Sequence, residues 1–225
     1  MTDSLHARVL VMAKAPAPGR VKTRLGNDIG PDAAAEVAAA CLLDTLVACS
    51  EAVGPRRCHL ALDGDLADAV RGTELERTAT GWARSRQRGA GLAARLVQAH
   101  ADVAPGPGPV VQIGMDTPQV SRELLSAAAA WLETTDSVLG PAEDGGWWLL
   151  AVRDTRSVRA LAGVAMSTPT TYADTRRALE RSGLTVATTH RLRDVDTVAD
   201  ARAVAGLAPG GHFARAWSAV ARSAR

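Results

Sequence analysis

Short apolar runs alternate along the chain with longer segments in which apolar residues recur at helical spacing. Runs of this length fit strands that are buried on both faces, and the longer pattern fits helices packed on them. The predicted strands are Arg8–Ala13, Cys58–Leu62, Val110–Ile113, Ser137–Gly140 and Trp147–Val152. The predicted helices are Pro31–Ser50, Gly91–Val103, Arg122–Glu133, Asp174–Ser182, Thr197–Val204 and Phe213–Val220. This alternation predicts an α/β fold with a mostly parallel central sheet.

Composition narrows the class of protein. The length of 225 residues allows one or two domains, and we expect a single domain over residues 1–225. A net charge of +2 and an aromatic content of 3% argue against a nucleic-acid partner, which requires a basic face and stacking platforms. The three cysteines, Cys41, Cys49 and Cys58, lack metal-site spacing and are expected to be buried. With no signal-peptide pattern and no run of 18 apolar residues, we expect a cytoplasmic protein without a membrane span.

The loop after the first strand is rich in cations. In α/β sheets, ligands bind beyond the carboxyl ends of the strands. This loop holds Lys14, Arg20, Lys22 and Arg24, with Gly19 for a close backbone approach, and it contains both lysines of the chain. In a chain that otherwise uses arginine, a lysine indicates a position that needs a compact ammonium. Binding of a phosphate is the usual reason for such a need. The alternative is a solvated basic loop.

Two aspartates are candidate metal ligands. Asp116 follows the strand Val110–Ile113, where a carboxylate facing bound phosphates suits Mg²⁺. Asp196 precedes a predicted helix and is a candidate second ligand. The alternative for each position is helix capping. Because 80 positions separate them, the two carboxylates meet only if the sheet brings their loops to one crevice.

A third loop contains adjacent carboxylates. Glu143 and Asp144 precede Gly145 and Gly146, so either acid is a candidate general base or a partner of substrate hydroxyls. The alternative is a tight turn, since Asp-Gly is a common hairpin signal.

Taken together, these motifs resemble those of a known bacterial family. Residues 13–25, 114–118, 140–147, 167–169 and 194–197 are similar to the motifs of the radical-SAM/selenodomain-associated transferase 1 family, in the GT-A superfamily of nucleotide-diphospho-sugar transferases. The resemblance implies a Rossmann-like GT-A three-layer sandwich and a nucleotide held by the first loop. It also implies Mg²⁺ or Mn²⁺ at Asp116 and Asp196, and it brings in Gln87, whose segment approaches the nucleotide in related folds. The chain departs from the family at Trp147, where the family usually has tyrosine, and at Met166, where it usually has tryptophan. The resemblance therefore does not extend to recognition of the acceptor.

Three functions follow as hypotheses. The first is a glycosyltransferase that uses a nucleotide-diphosphate-sugar and a small-molecule acceptor, with Lys22 neutralising charge and Glu143 or Asp144 deprotonating the acceptor. The second is a nucleotidyltransferase that releases pyrophosphate from an NTP, favoured by the basic loop. The third is a nucleotide sensor without catalysis. Residues 206–225 lie outside the motifs and are either a packing appendage or the arm of a homodimer.

Overall fold

The structure is a computed structural model that describes residues 7–103, 106 and 108–223. The strands are β1 (Arg8–Lys14), β2 (Cys58–Asp63), β3 (Ala83–Arg86), β4 (Val110–Ile113), β5 (Ser137–Pro141), β6 (Trp147–Val152) and β7 (Val186–Thr188). The helices are α1 (Thr23–Ile29), α2 (Pro31–Val53), α3 (Gly72–Thr78), α4 (Gly91–Val103), α5 (Arg122–Ala130), α6 (Thr171–Arg181), α7 (Val198–Leu207) and α8 (His212–Ser223). A 3₁₀ helix covers Thr155–Gly163.

The strands form one seven-stranded sheet in the order β3-β2-β1-β4-β6-β5-β7. Neighbouring strands are parallel except that β6 is antiparallel to both β4 and β5. The predicted mostly parallel α/β fold is therefore confirmed. The direction of strand connection reverses between β1 and β4, which makes their carboxyl ends the expected ligand crevice.

The alternation of side chains along β1 explains the layers. Val9 and Val11 belong to one buried cluster, with residues of α2, α3 and α5. Leu10 and Met12 belong to another, with residues of α4, α6 and the 3₁₀ helix. Successive side chains of a strand point to opposite faces, so the apolar run buries both faces and recruits a helical layer on each side.

The elements that the sequence pattern missed are short or polar. Strand β3 is a sheet edge with three of its four residues exposed, and β7 has three residues, so neither shows a buried apolar run. Helices α1 and α3 have seven residues and one buried side chain each. The predicted helix Arg122–Glu133 is divided, because α5 ends at Ala130 and a 3₁₀ turn follows. The expectation of buried cysteines is confirmed.

Helix α2 is the central helix of the chain. By length and composition alone it could cross a membrane, with a mean hydropathy of 1.6, but 72% of its apolar stretch is buried inside the protein. Helix α8 covers part of it through Phe213 and Trp217. The carboxylate of Asp44 on α2 accepts the backbone N–H groups of His212 and Phe213, each at 2.8 Å, and so caps α8. The segment after residue 206 thus packs against its own chain.

Candidate functional site

Four connecting segments meet at the carboxyl edge of the sheet. The loops after β1 and β4 open there, and so does the chain after β7, which is parallel to β5. Because β6 runs antiparallel, the hairpin of residues 142–146 lies at the same edge. The sheet topology therefore brings all four loops with predicted site residues to one edge.

Backbone contacts hold two of these segments together. The N–H of Val195 donates to the carbonyl of Asp116 at 2.9 Å, and the side-chain amide of Gln119 donates to the carbonyl of Arg193 at 2.7 Å. Val195 is fully buried and shares an apolar cluster with Leu25 of α1. Packing of Val195 against this cluster positions the start of α1, which carries Lys22, beside the two aspartates.

The ammonium of Lys22 lies between the two predicted metal ligands. It forms ion pairs with Asp116 Oδ1 and, at 3.2 Å, with Asp196 Oδ1. The Lys22 side chain is 3% exposed, whereas those of Asp116 and Asp196 are 45% and 38% exposed. Burial alone lowers the pKa of Lys22, but the two carboxylates outweigh it and raise that pKa above its ordinary value. Lys22 therefore stays protonated and keeps its positive charge.

Neither aspartate caps a helix. Ser121 caps α5 by accepting the N–H of Leu124, and Thr197 caps α7 in a capping box with Asp200. The capping interpretation is thus wrong for Asp116 and Asp196. Both carboxylates are left to face Lys22.

The other predicted phosphate ligands have different surroundings. Lys14, Gly19 and Arg20 are exposed, and Arg24 is 76% exposed with its guanidinium 3.9 Å from Asp196. Gly19 has φ +73°, which favours glycine, and a Cβ there would meet nothing within 4 Å. Lys14, Arg20 and Arg24 thus form a basic rim of exposed cations in the loop that carries the buried ammonium.

Gln87 is engaged with the backbone. Its side-chain amide donates to the carbonyls of Ala13 and Ala61, at 2.8 and 3.0 Å, and ties the ends of β1 and β2 together. Its contact with a nucleotide stays a prediction.

The structure separates the two adjacent acids. Residues 142–146 form a hairpin, as the alternative for this loop proposed, and a Cβ at Gly145 would lie 2.0 Å from the carbonyl oxygen of Pro169. The Glu143 carboxylate is paired with Arg193, which also binds Asp200. Asp144 accepts the N–H of Gly146 at 2.8 Å, and its charge acts on Asp194. Of the two acids, Asp144 is thus the one coupled electrostatically to Asp194. Together with Asp116 and Asp196, Asp194 forms a carboxylate cluster.

Asp194 belongs to this cluster although the sequence analysis did not select it. Burial, and then the charges of Asp116 and Asp144, raise the pKa of Asp194 to about 7. Its Oδ1 atom is buried without a hydrogen-bond partner. The signal available in the sequence is the alternation Asp194-Val195-Asp196, which places both acids opposite a buried valine.

These residues fit a divalent cation. Asp116 and Asp196 already share one cation, the Lys22 ammonium, and Asp194 adds an unpartnered oxygen beside them. Within the described part of the chain, no group of three His, Cys, Asp or Glu side chains has the arrangement of a preformed metal site. Mg²⁺ needs only one or two protein carboxylates when phosphates and water supply the remaining ligands.

The fold is that of GT-A-like nucleotidyl- and sugar-transferases. A solved structure from Desulfovibrio desulfuricans G20, described as a candidate nucleotide-diphospho-sugar transferase, is 27% identical with a TM-score of 0.81 over 96% of this chain and 94% of that one. The 4-diphosphocytidyl-2C-methyl-D-erythritol synthase of Anaerococcus prevotii DSM 20548 is 12% identical, with a TM-score of 0.57 over 86% and 94%. A manganese complex of Rv0371c from Mycobacterium tuberculosis H37Rv is 18% identical, with a TM-score of 0.50 over 88% and 97%.

Sequence comparison identifies the family. The chain belongs to the family described as "Uncharacterized protein conserved in bacteria (DUF2064)", whose profile matches residues 45–168. No curated protein matches the sequence significantly. The matched segment includes β4, Asp116 and the hairpin with Glu143 and Asp144, whereas Lys22 and Asp196 lie outside it.

Proposed function

We propose that this protein is a metal-dependent transferase that moves a sugar from a nucleotide-diphosphate-sugar to a hydroxyl group of a small acceptor. The observation that carries the proposal is the convergence of Lys22, Asp116 and Asp196 at the carboxyl edge between β1 and β4. The likeness to the Desulfovibrio protein over nearly the whole of both chains supports the same class of donor.

The first loop binds the diphosphate in this proposal. Lys14, Arg20 and Arg24 form a basic rim, and Gly19 leaves open space for phosphate oxygens to approach the backbone. Lys22 supplies a fixed positive charge at the base of the rim. Preorganised positive charge lowers the barrier because negative charge develops on the departing diphosphate.

Asp116 and Asp196 hold Mg²⁺ or Mn²⁺ in this proposal, and the manganese complex of a protein with a related fold supports that choice. When bound, the ion supplies further neutralisation of the diphosphate. Asp144 takes the proton of the acceptor hydroxyl, the acceptor oxygen bonds to the anomeric carbon, and the nucleoside diphosphate leaves. We assign the base to Asp144 because Arg193 holds Glu143 in an ion pair.

A second candidate function is nucleotidyl transfer. The first loop favours it, since a basic rim around one lysine suits the longer anionic tail of a nucleoside triphosphate. The fold is also shared with a cytidylyl-transferring synthase, although the two sequences are only 12% identical. In this reaction a substrate oxygen attacks the α-phosphate and pyrophosphate leaves.

Product analysis distinguishes the two reactions. The protein is incubated with Mn²⁺, a panel of hydroxylated and phosphorylated acceptors, and either nucleotide-sugars or nucleoside triphosphates. Release of nucleoside diphosphate from a nucleotide-sugar supports sugar transfer, and release of pyrophosphate from a triphosphate supports nucleotidyl transfer. If neither product forms and the protein still binds nucleotide without metal, the result would support the sensor hypothesis.

A pair of aspartate variants tests the proposed site, with Asp116→Asn as the test and Asp154→Asn as its control. Asp116→Asn is expected to lower turnover by at least about 100-fold, because it removes a ligand and a charge from the site. Asp154→Asn changes an aspartate that is also ion-paired, to Arg156 at 2.6 Å, but that follows β6 at the opposite edge of the sheet. Equal activity of the two variants would contradict the proposed site.

A further inference from the structure

We infer that Lys22 is an exchangeable counterion that occupies the metal position of the nucleotide-free protein, so that nucleotide binding and metal binding are coupled. The inference rests on the proposed function, because it concerns the same carboxylates. It adds an order of events, in which phosphates draw the Lys22 ammonium away from Asp116 and Asp196 and thereby open the site to the cation.

The geometry of the three side chains carries the inference. One ammonium pairs with Oδ1 of both aspartates, and its side chain is almost entirely enclosed. The carboxylate lone pairs that hold this ammonium are the ones that a divalent cation needs. Two cations in one position repel each other strongly, so the lysine and the metal exclude each other there.

The surroundings provide a place for the displaced ammonium. Lys22 lies at the junction between the exposed loop of residues 18–20 and helix α1, with φ 48°, a conformation that non-glycine residues seldom adopt. The basic rim of Lys14, Arg20 and Arg24 belongs to the same loop, and the Arg24 guanidinium lies 3.9 Å from Asp196, so phosphates bound there would lie within reach of the lysine. The ammonium can thus exchange carboxylate partners for phosphate partners without leaving the site.

Asp194 strengthens the argument from charge. The charges of Asp116 and Asp196 act on the neighbouring Asp194, and the buried Lys22 ammonium is paired with the first two of these carboxylates. A metal-free and lysine-free cluster would concentrate like charges in a partly buried place. Lys22 therefore stabilises the empty site and simultaneously weakens its affinity for metal.

Mn²⁺ titration without nucleotide tests the exchange. Isothermal titration calorimetry is performed on the wild-type chain, Lys22→Met, Lys22→Arg and Lys14→Met. We expect Lys22→Met to bind Mn²⁺ at least 10-fold more tightly than the wild type, because its two aspartates are no longer neutralised. Lys22→Arg retains a cation and is expected to bind no more tightly than the wild type, and Lys14→Met, which removes the exposed lysine, is expected to match it.

An unchanged or weaker Mn²⁺ affinity of Lys22→Met would overturn the exchange. Thermal unfolding by circular dichroism verifies that each variant is folded, and a gain in Lys22→Arg similar to that in Lys22→Met would also overturn it. The single variant Asp116→Asn, titrated with Mn²⁺ in the same way, separates this failure from failure of the proposed function. If Asp116→Asn weakens Mn²⁺ binding while Lys22→Met has no effect, only the exchange fails, whereas binding that is indifferent to Asp116 removes the proposed metal site itself.

Discussion

At the scale of single residues, the enclosure of position 22 explains why lysine stands there in a chain with 24 arginines. An ammonium is a compact point charge that can contact two carboxylates in a space closed to solvent, whereas a planar guanidinium presents its donors as a rigid fork. The sequence indicated Lys22, Asp116 and Asp196 through residue type and position after strands. It did not indicate Asp194, because the burial that perturbs this carboxyl group depends on packing against distant segments.

Lys22→Ala is expected to weaken nucleotide affinity by about 10- to 100-fold, the usual range for a charge-assisted hydrogen bond of about 1.5–3 kcal/mol. Cys49→Ala is the control, since it truncates a fully buried side chain of α2 without removing a charge. Fluorescence titration with a labelled nucleotide in the absence of divalent metal measures both affinities. Equal losses in the two variants would show that Lys22 does not contact phosphate.

The adjacent acids of the hairpin give a second prediction at this scale. Asp144→Asn is expected to lower kcat by about 100-fold or more, as removal of a general base does, whereas Glu143→Gln is expected to lower it less than 10-fold. The reason is that Glu143 is already paired with Arg193 while Asp144 acts on the carboxylate cluster. Steady-state kinetics on both variants checks the order, and a larger loss in Glu143→Gln would reverse the assignment.

At the scale of elements, strand direction decides where the chemistry lies. The apolar runs predicted five of the seven strands but not that β6 is antiparallel, and this reversal is what brings the hairpin with Glu143 and Asp144 to the same edge of the sheet as Asp116. The physical reason is connection length. Five residues join β5 to β6, which suffices for a hairpin but not for the crossover that a parallel neighbour needs. Strand β7, which leads to Asp194 and Asp196, was missed because two half-buried residues and one exposed residue have no detectable period.

The docking of α8 is predicted to depend on Asp44. Asp44→Ala leaves two backbone N–H groups at the start of α8 without an acceptor, and it is expected to lower the free energy of unfolding by about 1 kcal/mol. Glu51→Ala, at an exposed position of the same helix, is expected to have little effect. Urea unfolding at neutral pH measures both, and a similar value for the two variants would show that the cap contributes nothing.

Helix α4 contains a buried histidine that makes the fold sensitive to acid. Burial, together with the charge of Arg8, lowers the pKa of His100 to about 3, and neither ring nitrogen has a hydrogen-bond partner. In the unfolded chain the His100 imidazole binds a proton near pH 6.5, whereas in the folded chain it stays neutral until a much lower pH. The free energy of unfolding is therefore at its full value above pH 6.5 and decreases as the pH falls toward the folded pKa. The loss between pH 7.5 and 5 amounts to about 2 kcal/mol.

His100→Leu is therefore expected to reduce the decrease in unfolding free energy between pH 7.5 and 5 by about 2 kcal/mol, since leucine cannot titrate. His190→Gln removes an exposed histidine and is expected to leave the decrease unchanged. Urea unfolding curves at the two pH values provide the measurement. A decrease of the same size in His100→Leu would place the acid sensitivity elsewhere in the chain.

At the scale of the whole molecule, a site assembled from four distant segments couples ligand binding to global stability. Residues near positions 22, 116, 144 and 196 meet only in the folded sheet, so a ligand that binds there stabilises the native state over the unfolded one. The topology also means that no single segment retains the site after unfolding. Nucleotide and metal should therefore raise the melting temperature together, and more than either does alone.

Nucleotide alone at about 100 times its dissociation constant adds about 2.7 kcal/mol, which corresponds to about 5–10 °C for a chain of this size. We expect Mn²⁺ alone to add much less, because Lys22 occupies the carboxylates, and we expect the joint shift to exceed the sum of the separate shifts. Scanning calorimetry of the wild type and Asp116→Asn measures these terms, with Asp154→Asn as the control. If the shift with nucleotide and Mn²⁺ together merely equals the sum of the separate shifts, or survives in Asp116→Asn, then Asp116 does not link the two ligands, and the metal and phosphate positions must lie in separate parts of the fold.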